Sequence, residues 1–343
     1  MHSISIVAEI GCNHNGSIQM AMQMMEIAKA VGVDAVKFQS FIPEKLVSRY
    51  AIKAEYQKRN DGNGSQLEML KKLALSQDEY IKLVDFANRL NLKIFSTPFD
   101  FESFEFLKSI GQNIWKVPSG EITNLPYLQK LTEIDCQNKE IILSTGMSTI
   151  DEIKYAVGVL EKSKNTSFTI LQCNTQYPTK AKDMNLRAIN MLKSLVPNWE
   201  VGLSDHSEGI VASLVAVGMG AKFIEKHFTL DKDLQGPDHR ASITPEELQL
   251  LCASIRQAEQ MLGVEKKIIT NSEKENIFVA RKSIVAKQDI MKGELFTVDN
   301  ITCKRPGNGI SPIYWYEVLG QVADKNYTID ELISCNGIRR EDE

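Results

Sequence analysis

Short apolar runs recur along the first three quarters of the chain, and a segment with helical spacing follows each of them. The runs are ISIVAEI (4–10), DAVKFQS (34–40), LKIFSTP (92–98), NIWKVPS (113–119), EIILSTG (140–146), SFTILQC (167–173), WEVGLSD (199–205) and AKFIEKHF (221–228). Helical patterns cover 17–31, a long polar stretch reaching 90, a short piece ending near 111, and then 124–134, 149–162, 185–195, 208–219 and 244–262. The runs are too apolar for strands with one wet face, which predicts a parallel sheet covered by helices. Eight such units in about 260 residues predict a (β/α)8 TIM barrel over residues 1–262. A doubly wound open sheet is the rival. It usually opens on a GxGxxG turn, and the first turn here, GCNHNG, lacks that spacing.

The regularity stops near Gly263. Residues 263–280 are polar and charged and read as a linker. Short β-like pieces separated by Lys-Gly and Pro-Gly-Asn-Gly turns then predict a small β-rich domain over 281–338. The tail from Arg339 to Glu343 is expected to fray.

Composition narrows the class without naming it. The 343 residues are 43% hydrophobic and 24% charged, which excludes an intrinsically disordered chain. A net charge of -4 argues against non-specific binding to nucleic acid or anionic membrane, yet leaves room for a local basic pocket. Six cysteines lie far apart with no C-x-x-C pair, as suits reduced thiols. The N-terminal stretch lacks a signal-peptide pattern, and no apolar run approaches the ~20 residues that span a bilayer. A soluble, cytoplasmic protein is expected.

In such a barrel the chemistry lies at the C-terminal ends of the strands. Glu9, Lys37, Gln39, Thr97, Lys116, Ser119, Glu121, Ser144, Thr175, Tyr177, Ser204, His206, Glu225 and His227 all fall at or just beyond such ends. Thr145 and Ser207 read most simply as helix N-caps. Lys37 and Lys116 stand among apolar residues, which is costly unless an anion neutralises them. The hydroxyls of Thr97, Ser119, Ser144 and Ser204 could assist in holding a phosphate or carboxylate. The plainer alternative pairs Lys37 and Lys116 with Glu9 and Glu121 in a structural network. His206 and His227 end consecutive strands, about 4.8 Å apart in a sheet, so both could reach one ion. Hydrogen-bonded imidazoles with no metal are an equally good reading of spacing alone.

Taken in order, AEIGCNHNG (8–16), VKFQS (36–40), FSTPFD (95–100), WKVPSGEITNLPYL (115–128), ILSTGM (142–147), CNTQYPT (173–179), GLSDHS (202–207), IEKHFTLD (224–231) and GPDHRAS (236–242) resemble the bacterial sialic acid (N-acetylneuraminate) synthases and their legionaminic acid relatives. KRPGNGISP (304–312) resembles the antifreeze-like (SAF) domain that ends those enzymes.

The resemblance implies condensation of phosphoenolpyruvate with N-acetylmannosamine to N-acetylneuraminate and phosphate. The alternative is the N,N'-diacetyllegionaminic acid reaction on 2,4-diacetamido-2,4,6-trideoxymannose. It implies a divalent metal on His206 and His227, expected to be Mn²⁺, with Mg²⁺ or Co²⁺ as alternatives. Lys37, Thr97, Lys116, Ser119, Ser144 and Ser204 would hold phosphoenolpyruvate. Glu9 and Glu121 would serve the reacting oxygen. Gln39, Tyr177 and Asp238 would grip the sugar, and Arg305 would reach it from the partner of a domain-swapped homodimer. Thr175 stands where some members have Asn, which puts its part in doubt. A pyruvate aldolase and a non-catalytic carbohydrate-binding or ice-binding protein are the rivals from other classes.

Overall fold

The computed structural model describes residues 4–62, 64–335 and 337–338; the 339–343 tail lies outside the described residues. The chain divides into two compact units, after Gly263.

The first unit contains eight strands: β1 (Ser5–Gly11), β2 (Ala35–Ser40), β3 (Lys93–Pro98), β4 (Ile114–Val117), β5 (Lys139–Ser144), β6 (Thr166–Cys173), β7 (Glu200–Asp205) and β8 (Phe223–His227). They form one sheet in the order β3-β2-β1-β8-β7-β6-β5-β4, and every ladder is parallel. β3 also lies against β4, which brings the two ends of the sheet together as in a barrel.

Helices cover the outside, and local chemistry starts most of them. Ser17, Ser76, Asp100, Asn124, Thr149 and Thr244 each accept a backbone N–H of the helix that follows. Thr145 and Ser207 are not caps. The Thr145 hydroxyl donates to the Leu171 carbonyl at 2.8 Å, and that of Ser207 to Asp205 at 2.6 Å. Each lies on the strand-to-helix turn, several residues before its helix begins.

The period of two along a strand decides what the barrel encloses. Val7, Ala35, Phe95, Ile142, Leu171 and Phe223 pack together as an apolar plug, with Ile114 against it. Two residues further along the same strands come Glu9, Lys37, Thr97, Ser144, Cys173, Glu225 and Lys116. The inward row therefore changes from apolar to polar within one step, at the C-terminal end. Intervening residues such as Ile6, Ala8, Val36, Leu143 and Ile224 belong to the larger core between sheet and helices.

In the second unit β9 (Ser283–Ala286) pairs antiparallel with β10 (Ile301–Lys304). Isolated bridges join Ile290 to Tyr327 and Leu295 to Val322. Ile284, Ile290, Phe296, Ile301 and Tyr327 are among its buried core. The segment read as a linker carries a helix at Asn271–Ala280. It has almost no buried residue, so it shows no apolar stripe. Its start was nevertheless written locally: the Glu273 carboxylate accepts the Thr270 N–H at 2.8 Å. No helix among the described residues is long and apolar enough to cross a membrane.

Candidate active site

Four charged side chains from four strands meet inside the barrel mouth. Lys37 Nζ lies 2.8 Å from Glu9 Oε2 and 3.8 Å from Glu225 Oε1. Lys116 Nζ lies 3.2 Å from the same Glu225 oxygen. All four are at most 4% exposed. Thr97 Oγ1 stands 3.4 Å from Lys37, Gln39 donates to Glu9 at 3.0 Å, and Ser204 donates to Glu225 at 3.1 Å.

The structural network weighed from the sequence had the wrong second carboxylate. Lys116 pairs with Glu225, not with Glu121. Glu225 faces inward, two residues beyond Phe223 of the plug. Glu121 lies past the end of β4 in the turn Ser119–Glu121, where Asn124 donates to it at 2.6 Å. Among the described residues no hydrogen bond or ion pair joins Glu121 to the lysines. The signal for Glu225 was the alternation itself: in FIEKH, Glu and His share one face and Lys takes the other. Lys226 accordingly turns outward to Asp205, at 3.0 Å.

Burial and charge oppose each other here. Burial raises Glu9 above the ordinary carboxyl range, against the pull of Lys37. Burial would raise Glu225 too, but Lys116 and Lys37 outweigh it and hold the group down at about 2. Burial lowers Lys116, with Glu225 pulling the other way. Burial also works against the charge on Lys37, but Glu225 and Glu9 prevail and its pKa is raised.

Two further groups gather at the ends of the barrel strands. Ser119 Oγ accepts the Gly146 N–H at 2.9 Å. A Cβ at Gly146 would stand 2.7 Å from both Ser119 Oγ and Thr175 Cγ2, so the turn after β5 brings Ser119 and Thr175 to one point and admits only glycine between them. Ser144, two residues earlier, is buried with its hydroxyl unbonded, as is Glu225 Oε2. Buried polar atoms are normally satisfied, so both mark places for a polar ligand.

The second group is aromatic. The rings of His206 and His227 lie 5.1 Å apart, and Tyr177 stacks on His206 at 4.1 Å. Tyr177 OH is 2.9 Å from His206 Nε2, and the other ring nitrogen is 2.6 Å from the Asn174 carbonyl. His227 Nδ1 makes no hydrogen bond and stands 3.5 Å from Asp238 Oδ2. Burial and the neighbouring His206 push His227 well below the ordinary range, so it is a neutral ligand-type imidazole. Among the described residues no three His, Cys, Asp or Glu side chains are arranged to hold a metal. An ion held by the two imidazoles would take its remaining positions from water or substrate, and Tyr177 would have to release His206 Nε2 to it. Arg305 belongs to the second unit, is exposed, and donates from Nε to the Ala280 carbonyl at 3.0 Å.

Known proteins agree with this geometry. The NeuB family matches residues 24–267 and the SAF domain matches 281–339. The chain is 48% identical over 336 residues to the N,N'-diacetyllegionaminic acid synthase of Campylobacter jejuni, covering 97% of this chain and 99% of that one. It is 33% identical over 342 residues to the human N-acetylneuraminate-9-phosphate synthase, covering 98% and 94%. The crystal structure of an N-acetylneuraminic acid (sialic acid) synthetase from Leptospira borgpetersenii superimposes with a TM-score of 0.72 at 33% identity, over 80% of this chain and 90% of that one. The match over residues 24–267, with 48% identity along nearly the whole of a relative, means that this barrel belongs to the NeuB family.

Proposed function

We propose that this protein condenses phosphoenolpyruvate with 2,4-diacetamido-2,4,6-trideoxymannose to give N,N'-diacetyllegionaminic acid and inorganic phosphate. The observation that carries the reaction type is the buried Glu9–Lys37–Glu225–Lys116 cluster at the barrel mouth, beside the two imidazoles. The choice of sugar rests on the relatives. Identity is 48% to a legionaminic acid synthase against 33% to an N-acetylneuraminate-9-phosphate synthase. That ordering reverses the preference for N-acetylmannosamine drawn from motifs alone.

Lys37 and Lys116 meet the phosphate and carboxylate of phosphoenolpyruvate, with the hydroxyls of Thr97, Ser119, Ser144 and Ser204 as neutral donors. Thr175 turns its methyl group toward this point, beside Ser119. Gln39, Tyr177 and Asp238 hold the open-chain sugar with its aldehyde toward the enol carbon. A divalent ion on His206 and His227, Mn²⁺ by preference, would supply polarisation of the aldehyde oxygen. The enol carbon attacks the aldehyde carbon and a C–C bond forms. Water adds to the resulting oxocarbenium carbon, and phosphate leaves by C–O cleavage with that electron pair. Glu9, paired with Lys37, would exchange the proton that the new alkoxide needs. Glu121 would serve the attacking water. Arg305 completes the sugar site from the partner subunit of a homodimer.

The test is phosphate release from phosphoenolpyruvate with each sugar. Turnover at least about tenfold more efficient with the diacetamido sugar is expected, a difference of about 1.4 kcal/mol. Preference for N-acetylmannosamine would overturn the sugar assignment. Turnover of pyruvate with no phosphate released would overturn the reaction.

A further inference from the structure

The turn after β1 and the loop after β8 carry polar contacts that the reaction does not use. Cys12, Asn13 and Asn15 lie on the turn; Gln235, Asp238, His239 and Ser242 lie on the loop. Each of the three turn residues reaches across. The Cys12 thiol donates to Asp238 Oδ2 at 3.4 Å. Asn13 Nδ2 donates to Ser242 Oγ at 2.8 Å, and Ser242 in turn donates to the Asp238 carbonyl at 2.7 Å. Asn15 Nδ2 donates to the Gln235 carbonyl at 3.0 Å.

His239 joins this set through Asn15 and ties it to the end of β8 through Thr229. Its side chain is 0% exposed, with Nε2 3.1 Å from Asn15 Oδ1 and Nδ1 2.7 Å from Thr229 Oγ1, just beyond β8. Burial lowers the imidazole to about 4, so it is neutral near pH 7. With Asn15 Nδ2 already donating to Gln235, Asn15 Oδ1 is left to accept and the His239 proton falls on Nε2; the single proton of the Thr229 hydroxyl serves Nδ1 or the Asp231 carbonyl, 2.9 Å away. The ring also lies directly over Gly236: a Cβ there would stand 2.7 Å from His239 Cδ2 and 2.9 Å from Asn15 Oδ1. Asp238 sits between these ties, 7% exposed, with Oδ2 3.5 Å from His227 Nδ1.

We propose that this network is a clamp that fixes the Asp238 carboxylate for the amino sugar, and that His239 is its positioning residue. The proposal rests on the reading that Asp238 grips the sugar. His239 touches neither substrate; it acts by holding the loop that bears Asp238. A group that only supported the fold would affect both substrates alike.

Three variants, His239→Leu, His239→Gln and Asp238→Asn, are compared by KM for each substrate and by native-state alkylation of Cys12 followed by peptide mass. His239→Leu loses both bridges. Its KM for the sugar should rise about tenfold, with that for phosphoenolpyruvate within about twofold, and Cys12 should alkylate at least about tenfold faster. His239→Gln keeps a donor near the Nε2 position and should recover most of both readouts. Folded His239→Leu with an unchanged sugar KM and an unchanged Cys12 rate overturns the clamp. Faster Cys12 labelling in His239→Leu, with Asp238→Asn leaving the sugar KM unchanged, supports the clamp and overturns the sugar role of Asp238. Should His239→Leu not fold, Asn15→Ala and Gly236→Ala break the same bridge and are expected to show the same pair of changes.

Discussion

The two lysines of the mouth are not equivalent, and substituting each by methionine separates them. Lys37 neutralises two carboxylates, Glu9 at 2.8 Å and Glu225 at 3.8 Å; Lys116 neutralises one, Glu225 at 3.2 Å. At an effective dielectric of ~20 these pairs carry gross attractions of about 6, 4 and 5 kcal/mol. Lys37→Met therefore removes about 10 kcal/mol of gross attraction and Lys116→Met about half of that. Loss of Lys37 also leaves Glu9, fully buried, with Gln39 as its hydrogen-bond donor. Glu9 would have to protonate or remain charged without a counterion. A net destabilisation of roughly 3–5 kcal/mol is expected for Lys37→Met. Lys116→Met leaves Glu225 with Lys37 and Ser204, so its cost should be roughly 1–2 kcal/mol.

The ligand should reverse that order. Lys116 shares its single carboxylate with Lys37 and Ser204 and is the less neutralised cation. Its loss should weaken phosphoenolpyruvate by roughly 2–5 kcal/mol, at least about 30-fold. Urea unfolding measures the first quantity, and calorimetric binding of phosphoenolpyruvate the second. Equal destabilisation by the two variants, or tight phosphoenolpyruvate binding by Lys116→Met, would refute this division of labour.

Chelation should abolish phosphate release and added Mn²⁺ restore it, while His206→Ala and His227→Ala each stay folded and lose most activity; full turnover in a thoroughly chelated sample would remove the metal from the site. Buried His14, whose Nδ1 accepts the Gly16 N–H, is lowered by burial to about 4, so the unfolded chain binds its proton first as pH falls. Its contribution is present above about pH 6.5 and is lost as the pH falls toward 4, amounting to roughly 3 kcal/mol. Urea unfolding between these pH values should show the loss in the wild type and a flatter profile in His14→Gln; identical slopes would contradict a neutral buried His14. Mixing Arg305→Ala with His227→Ala and allowing subunits to exchange should restore activity if the arginine serves the partner's site. Exchange verified by mass without recovery would assign it to its own barrel.

The strands, most helices, the barrel and the change of texture near Gly263 were legible along the chain, because each is written in local periodicity and in caps. Val7–Glu9, Phe95–Thr97 and Phe223–Glu225 show how far that reaches: alternate positions share a face, so the residue two beyond an apolar one on the plug faces the same interior. The histidine pair was legible for the same reason, as two neighbouring strands end on inward imidazoles. The helix at Asn271–Ala280 was not, since an exposed helix shows no apolar stripe and only its Thr270–Glu273 start betrays it. Which charges meet became visible only in the folded barrel. Glu225 and Glu121 both lie near strand ends, but closing the sheet brings β8 opposite β4, and that geometry gives Lys116 to Glu225. It likewise joined GCNHN to GPDH, more than two hundred residues apart, around one carboxylate. Periodicity along a strand selects the face a side chain occupies; which strand faces it across the barrel follows from closure, which no local pattern encodes.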